Sequence, residues 1–152
     1  MKNNKKGFTL VELLAVIVIL AVVILIAVTA VIPRMRNAKK NAFKDEALAF
    51  VKAAEEAYVS TQMESSTGTG TTCFTVATLT DANNGYIELK GGKSYAGKIV
   101  LNSTGVVTGV YLEDSTNSYV ITNASYNSNK TLTVLASGDT GYAALTSAQK
   151  AC

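Results

Sequence analysis

Residues 5–32 read KKGFTLVELLAVIVILAVVILIAVTAVI, and this stretch decides the fold. Its last twenty residues, from Leu13 to Ile32, contain one polar side chain, that of Thr29. An α-helix of that length spans about 30 Å, the thickness of the hydrocarbon layer of a bilayer. The sequence therefore predicts a long N-terminal helix whose first half is apolar on every side.

Glu12 is a carboxylate at the entrance of this apolar run, four residues after Phe8. A charge at that depth is costly unless water solvates it or a partner neutralises it. A carboxylate and an ammonium buried together are tolerated where either one alone is not. Two interpretations stand: an interfacial carboxylate that reaches headgroup water, or a carboxylate whose charge a cationic partner neutralises.

The order of residues around Glu12 is that of a known signal. A basic leader with Lys5 and Lys6 is followed by Gly7-Phe8-Thr9-Leu10-Val11-Glu12 and then by the apolar helix. This order resembles the class III signal peptide of type IV pilins, and leader and helix are similar in composition to Gram-positive, clostridial-like major pilins. The resemblance covers residues 1–58. It implies the pilin fold, an α+β fold in which a long helix packs against a small antiparallel β-sheet.

The resemblance also implies roles for three residues. Prepilin peptidase, a membrane aspartic peptidase, would remove residues 1–7 by cutting after Gly7 and would then methylate the new N-terminus at Phe8. The carboxylate of Glu12 would neutralise the N-terminal amine of a neighbouring subunit during assembly.

The implied partners are identical subunits in a helical filament, the peptidase and the inner-membrane pilus assembly machinery. The chain would be a single-pass protein of the cytoplasmic membrane before assembly and part of an extracellular pilus afterwards. Adhesion, twitching motility and aggregation are implied in the same way.

The charge balance disfavours binding of nucleic acid. Three of the 14 basic residues, Lys2, Lys5 and Lys6, lie in the leader, so its removal leaves 11 basic against 11 acidic side chains. A formally neutral chain lacks the electrostatic footprint of a nucleic-acid binder. A basic cluster beyond the apolar run fits lipid headgroups or acidic residues of a neighbouring subunit: Arg34, Arg36, Lys39, Lys40 and Lys44.

Residues 8–33 are predicted to form the hydrophobic transmembrane or filament-core helix, and residues 34–152 a globular domain. Pro33 is expected to bend or loosen the helix, because it lacks an N–H and clashes one turn back. Apolar residues nevertheless recur beyond it at spacings of three and four, which predicts an amphipathic helix to about Gln62. The predicted buried stripe is Ala38, Ala42, Ala47, Leu48, Val51, Ala54, Ala57 and Tyr58.

The remainder of the chain reads as short strands separated by turn residues, which predicts an antiparallel sheet of about four strands on the second half of the helix. Asn102-Ser103-Thr104-Gly105 is typical of a hairpin turn. Residues 141–152 are expected to form a short helix or a loop. The strand-like runs are Cys73–Leu79, Tyr86–Leu89, Tyr95–Leu101, Val106–Leu112, Ser118–Thr122 and Thr131–Leu135.

The chain has two cysteines, Cys73 and Cys152. In an extracytoplasmic domain they would form one disulfide, closing a loop of about 80 residues that contributes on the order of 4 kcal/mol. Two free thiols are the alternative.

The chain has no histidine, so a Ser-His-Asp or Cys-His site cannot be built, and two distant cysteines lack a zinc spacing. The sequence predicts no catalytic site, no metal and no cofactor.

Three other functions remain open from the sequence. The chain could be a pseudopilin of a type II secretion or DNA-uptake machine, with the same helix physics in a shorter assembly. It could be a single-pass membrane-anchored binding protein that never assembles. Val28-Thr29-Ala30 has the small residues of an ordinary signal-peptide cleavage site, which would release a soluble domain beginning at Val31.

Overall fold

A computed structural model describes residues 7–64, 72–83, 85–89, 92–116, 118–123, 126 and 131–152 of the chain. The chain divides into two compact units, one ending at Ala38 and the other running from Lys39 to Cys152. Helix α1, Leu10–Glu64, belongs to both units. With residues 7–9 it makes up the described part of the first unit, and its remainder is the first element of the second unit.

In the first unit, α1 presents apolar side chains to its surroundings on every side. The large apolar residues from Leu10 to Ile32 are between 47 and 81% exposed. By length and composition, this part of α1 is apolar enough to cross a membrane, and none of its most apolar window is buried. The helix continues past Pro33, so the proline does not end it.

In the second unit, one face of α1 forms the centre of the core. The predicted stripe is confirmed at Ala47, Val51, Ala54 and Ala57, which are buried, whereas Ala38 and Ala42 are exposed. The prediction was incomplete, because the bulk of the helix side of the core comes from two phenylalanines. Phe43 stacks on Tyr95 and Tyr119 with centroids 6.1 and 6.0 Å apart, and Phe50 meets Tyr95 edge-on at 5.6 Å.

Five antiparallel strands pack against this face, so the predicted sheet is confirmed with one strand more than expected. They are β1 (Thr72–Thr75), β2 (Tyr95–Leu101), β3 (Val107–Asp114), β4 (Tyr119–Asn123) and β5 (Leu135–Ala136). Their spatial order is their order in the chain. Each strand therefore pairs with its neighbours in sequence, as in a meander.

The hairpin predicted at Asn102–Gly105 joins β2 to β3. The Asn102 side chain accepts hydrogen bonds from the Thr104 and Val106 amides at 3.0 and 2.9 Å. Gly105 has φ of 78°, and a Cβ there would lie 2.6 Å from the Tyr58 ring. Since the Tyr58 hydroxyl also donates to Ser103 O at 2.7 Å, the turn is docked directly onto α1.

Three predicted strands differ from the structure. The run Cys73–Leu79 is a strand only to Thr75, because the Thr75 hydroxyl accepts the Thr78 amide and starts the short helix α2, Val76–Leu79.

Residues Tyr86–Leu89 form no strand. The amides of Tyr86 and Ile87 instead donate to Leu79 O, at 2.8 and 3.1 Å. The run Thr131–Leu135 contributes only its last residue to β5. The chain end contains helix α3, Ser147–Lys150, with a capping box formed by Thr146 and Gln149.

Candidate functional site

The segment before α1 presents an accessible peptide bond between Gly7 and Phe8. Phe8 is 90% exposed. A Cβ built on Gly7 would meet nothing within 4 Å, and the backbone of Gly7 is outside the left-handed region. Neither packing nor backbone conformation therefore requires a glycine at this position.

Thr9 and Glu12 form a capping box at the start of α1. The amide and the hydroxyl of Thr9 each donate to Glu12 Oε2 at 2.8 Å, and the Glu12 amide lies 3.3 Å from the Thr9 hydroxyl oxygen, which accepts from it. This reciprocal arrangement satisfies two backbone donors that the first turn of a helix otherwise leaves unpaired. The carboxylate also lies at the positive end of the helix dipole, which favours its charge.

The capping box uses only one of the two carboxylate oxygens of Glu12. Both donors of Thr9 reach Oε2, and within the described part of the chain no hydrogen bond reaches Oε1. An ionised carboxylate can accept several hydrogen bonds. Glu12 can thus keep its cap and still bind a cation from outside the chain.

Thr9 is the site residue that sequence reasoning missed. Its signal was present, since Ser or Thr followed three residues later by Glu before an apolar run is typical of a capping box. The segment Thr9-Leu10-Val11-Glu12 has this spacing. The charge of Glu12 and the signal around it identify the carboxylate as a site residue but do not by themselves identify Thr9 as its hydrogen-bond donor.

The chain end is held to the sheet by three kinds of contact. Cys73 in β1 and Cys152 form a disulfide with Cα atoms 5.8 Å apart. Lys98 in β2 donates through Nζ to Ala148 O at 2.8 Å and to Ala151 O at 2.7 Å. Lys150 Nζ lies 2.6 Å from Glu113 Oε2, an ion pair without hydrogen-bond alignment.

A second polar cluster joins α1 to the sheet beside the aromatic core. Glu46 of α1 accepts from the Tyr95 hydroxyl and forms an ion pair with Lys93. Burial raises the pKa of Tyr95, and the hydrogen bond to the Glu46 carboxylate and the nearby charge of Asp114 raise it further. The cluster links the helix to β2 in the second unit.

Among the described residues, no group of three or more His, Cys, Asp or Glu side chains could hold a metal ion.

Comparison with known proteins bears on the first part of the chain. Residues 2–28 match the family model of the prokaryotic N-terminal methylation motif. The N-terminal segment is that of a type IV pilin-like prepilin. No curated protein and no solved structure matches the chain.

The match assigns a general class and a general location. Prepilins with this motif form a family of structural subunits that are processed and assembled. The motif and the apolar N-terminal helix fit a membrane-anchored prepilin. The match ends at residue 28, so it concerns the leader and the first part of α1 and leaves the sheet outside it.

Proposed function

We propose that this prepilin is the structural subunit of a type IV pilus. It is cleaved between Gly7 and Phe8, methylated at Phe8 and assembled through the helix of residues 8–33 into an extracellular filament. The observation that carries the proposal is an apolar helix, exposed on every side from Leu10 to Ile32, whose residues 10–28 lie within the matched methylation motif.

The exposed helix needs an apolar environment at every stage. Leaving one Val, Leu or Ile side chain in water instead of burying it costs about 1.5–3 kcal/mol. The helix therefore leaves the bilayer only when other apolar surfaces replace the lipid. Identical helices of neighbouring subunits supply such a surface, and residues 34–152 then form the globular coat of the filament.

Glu12 guides the passage of the helix from the bilayer into the filament by pairing with the Phe8 amine of a neighbouring subunit. Cleavage after Gly7 creates that amine, and Oε1 of Glu12 is available to receive it while Oε2 keeps the bonds from Thr9. A buried charge without its partner is strongly penalised. The pair thus favours the one axial position at which amine and carboxylate meet.

The proposal is tested by expressing the full chain in cells that contain a pilus assembly machinery and shearing the cell surface. We expect long filaments that contain this chain, visible by electron microscopy. Chain confined to short assemblies at the envelope would favour a pseudopilin of a secretion or DNA-uptake machine. Processed chain that stays wholly in the membrane would contradict the proposal. Adhesion, motility and aggregation extend the same proposal and are assayed on those cells.

A further inference from the structure

Two adjoining recesses lie beside Tyr86 on the surface of the second unit. The first, of about 680 Å³, is bordered by α1, by α2 and by the segment that follows α2. The second, of about 550 Å³, is bordered by residues 80–82 and 85–89. Asp81 and Tyr86 line both recesses, which we call together the Tyr86 cleft. Each volume is in the range of about 300–1,000 Å³ that is usual for small-molecule sites.

The loop that carries the cleft is fixed by its own hydrogen bonds. The amides of Gly85 and Asn83 donate to Asp81 O and to Asp81 Oδ1, each at 2.8 Å. The Tyr86 amide donates to Leu79 O at 2.8 Å. A Cβ on Gly85 would lie 2.3 Å from Asp81 O, so this tight loop requires glycine there. The wall of the cleft is therefore formed before a ligand arrives, which lowers the cost of binding.

The lining combines an accessible aromatic ring with polar groups. Ala57 and Phe74, which are buried, contribute to the first recess, and Tyr86, which is 40% exposed, contributes its ring. Within the described ranges, no hydrogen bond reaches the side chain of Asn83 or the hydroxyl of Tyr86. Both groups can donate and accept hydrogen bonds. The cleft thus offers an apolar surface for packing and polar groups that a ligand can satisfy.

The charge of the cleft limits the class of ligand. Among the described residues that line the two recesses, none is basic, and the acidic ones are Asp81 and Glu88. An anionic ligand would meet carboxylates without a compensating cation, and like charges in contact are costly. An ionised carboxylate only accepts hydrogen bonds, so it suits a ligand that is rich in hydroxyl donors.

We propose that the Tyr86 cleft binds a neutral oligosaccharide, with one sugar ring packed on Tyr86 and sugar hydroxyls bonded to Asp81 and Asn83. A pyranose ring has a face of C–H groups that packs on an aromatic ring, and its edge carries hydroxyls that both donate and accept. Two adjoining recesses suit an extended chain of such rings. The inference goes beyond the proposed function, because the cleft lies within one chain and needs no filament.

Binding of the full-length protein in detergent to an array of neutral, sialylated and sulfated oligosaccharides tests the inference. We expect binding to neutral members of the array. Tyr86→Ala removes the ring and should weaken that binding at least tenfold, and Asn83→Ala should also weaken it. Tyr86→Phe keeps the ring and should retain most of the binding, which separates packing on the ring from bonding to its hydroxyl.

The matched control is Met63→Ala, which truncates an apolar side chain of α1 that is 85% exposed and lies outside the cleft. We expect it to bind as the wild type does, and circular dichroism verifies the fold of every variant. The inference is overturned if no neutral oligosaccharide binds, if the sialylated or sulfated ones bind better, or if folded Tyr86→Ala binds normally. None of these results bears on filament formation, and a failure to form filaments would leave this binding intact.

Discussion

Thr9 and Glu12 bond each other reciprocally across the first turn of α1, with the Thr9 amide and hydroxyl each 2.8 Å from Glu12 Oε2. The carboxylate therefore has two tasks that can be separated. It caps the helix within its own chain, and in the proposed filament it receives the amine of a neighbour. A glutamine can perform the first task but not the second, because the capping box accepts Glu or Gln and only Glu carries charge.

Glu12→Gln is expected to keep α1 intact and to abolish or strongly reduce filament formation. The buried amine of the neighbouring Phe8 would then lack a counter-charge, which costs about 3–5 kcal/mol for a buried pair broken on one side. Filament yield from sheared cells measures assembly, and circular dichroism of the protein in detergent measures helicity.

Thr9→Ser is the matched control, because serine keeps the capping hydroxyl and leaves Glu12 charged. It should assemble as the wild type does. Normal filaments from Glu12→Gln would show that the charge has no role in assembly and would leave Glu12 as a capping residue only.

Gly7→Val is expected to block processing without disturbing the fold. A Cβ at Gly7 would meet nothing within 4 Å beyond its chain neighbours in the described part of the chain, so the substitution meets no steric obstacle from the described fold. A branched side chain next to the cleaved bond would obstruct the peptidase. The measurement is the mass of the membrane-bound protein, which should retain residues 1–7. If the Gly7→Val variant were cleaved normally, with unchanged helicity, the prediction that cleavage requires Gly7 would be wrong.

The sequence predicted the long helix and the turn at Asn102–Gly105 well because both depend on local patterns. Twenty nearly uninterrupted apolar residues admit few interpretations, and Asn102–Gly105 has the residues of a tight turn. Tyr86–Leu89 was wrong as a strand because two of its amides are used by Leu79 O, a contact that no local pattern reveals. Phe43 and Phe50 were missed because the alanines at helical spacing were enough to predict a buried face of α1. The tyrosines that pack against these phenylalanines, Tyr95 in β2 and Tyr119 in β4, are distant in sequence.

Cys152→Ser is expected to lower the free energy of unfolding of the second unit by about 4 kcal/mol, the loop-closure contribution for a bridge across a sequence separation of 79. The native position of the chain end should survive, because Lys98 still binds two carbonyls of residues 148–151 and Lys150 still meets Glu113. Thermal unfolding of the full-length protein in detergent measures the change. Reductant should lower the stability of the wild type similarly and leave the variant unaffected, and equal stability of oxidised and reduced wild type would contradict the prediction.

The stability of the second unit is expected to fall at alkaline pH through Tyr95. Its pKa is raised in the folded state by burial and by Glu46, so the folded chain holds this proton more tightly than the unfolded chain. The contribution is complete below the unfolded pKa of about 10 and is lost as the pH rises above it.

Tyr95→Phe should therefore be less stable at neutral pH but show a shallower decline above pH about 10, by up to about 1.4 kcal/mol per pH unit for one proton. Chemical denaturation across that range measures the slope. Tyr86→Phe, at an exposed tyrosine, should keep the wild-type slope. Parallel curves for the wild type and Tyr95→Phe would exclude Tyr95 as the alkaline-sensitive group.

The central claim, that the chain is processed and assembled, is tested most directly by intact mass and N-terminal sequencing of protein sheared from the cell surface. We predict a chain that begins at methylated Phe8 and is recovered in a sedimentable filament, lighter by two hydrogens because Cys73 and Cys152 are joined. A chain that begins at Met1 and is found only in membranes would contradict the claim and indicate a single-pass anchor. A chain that begins at Val31 would contradict it differently, by indicating an ordinary signal peptide and a secreted soluble domain.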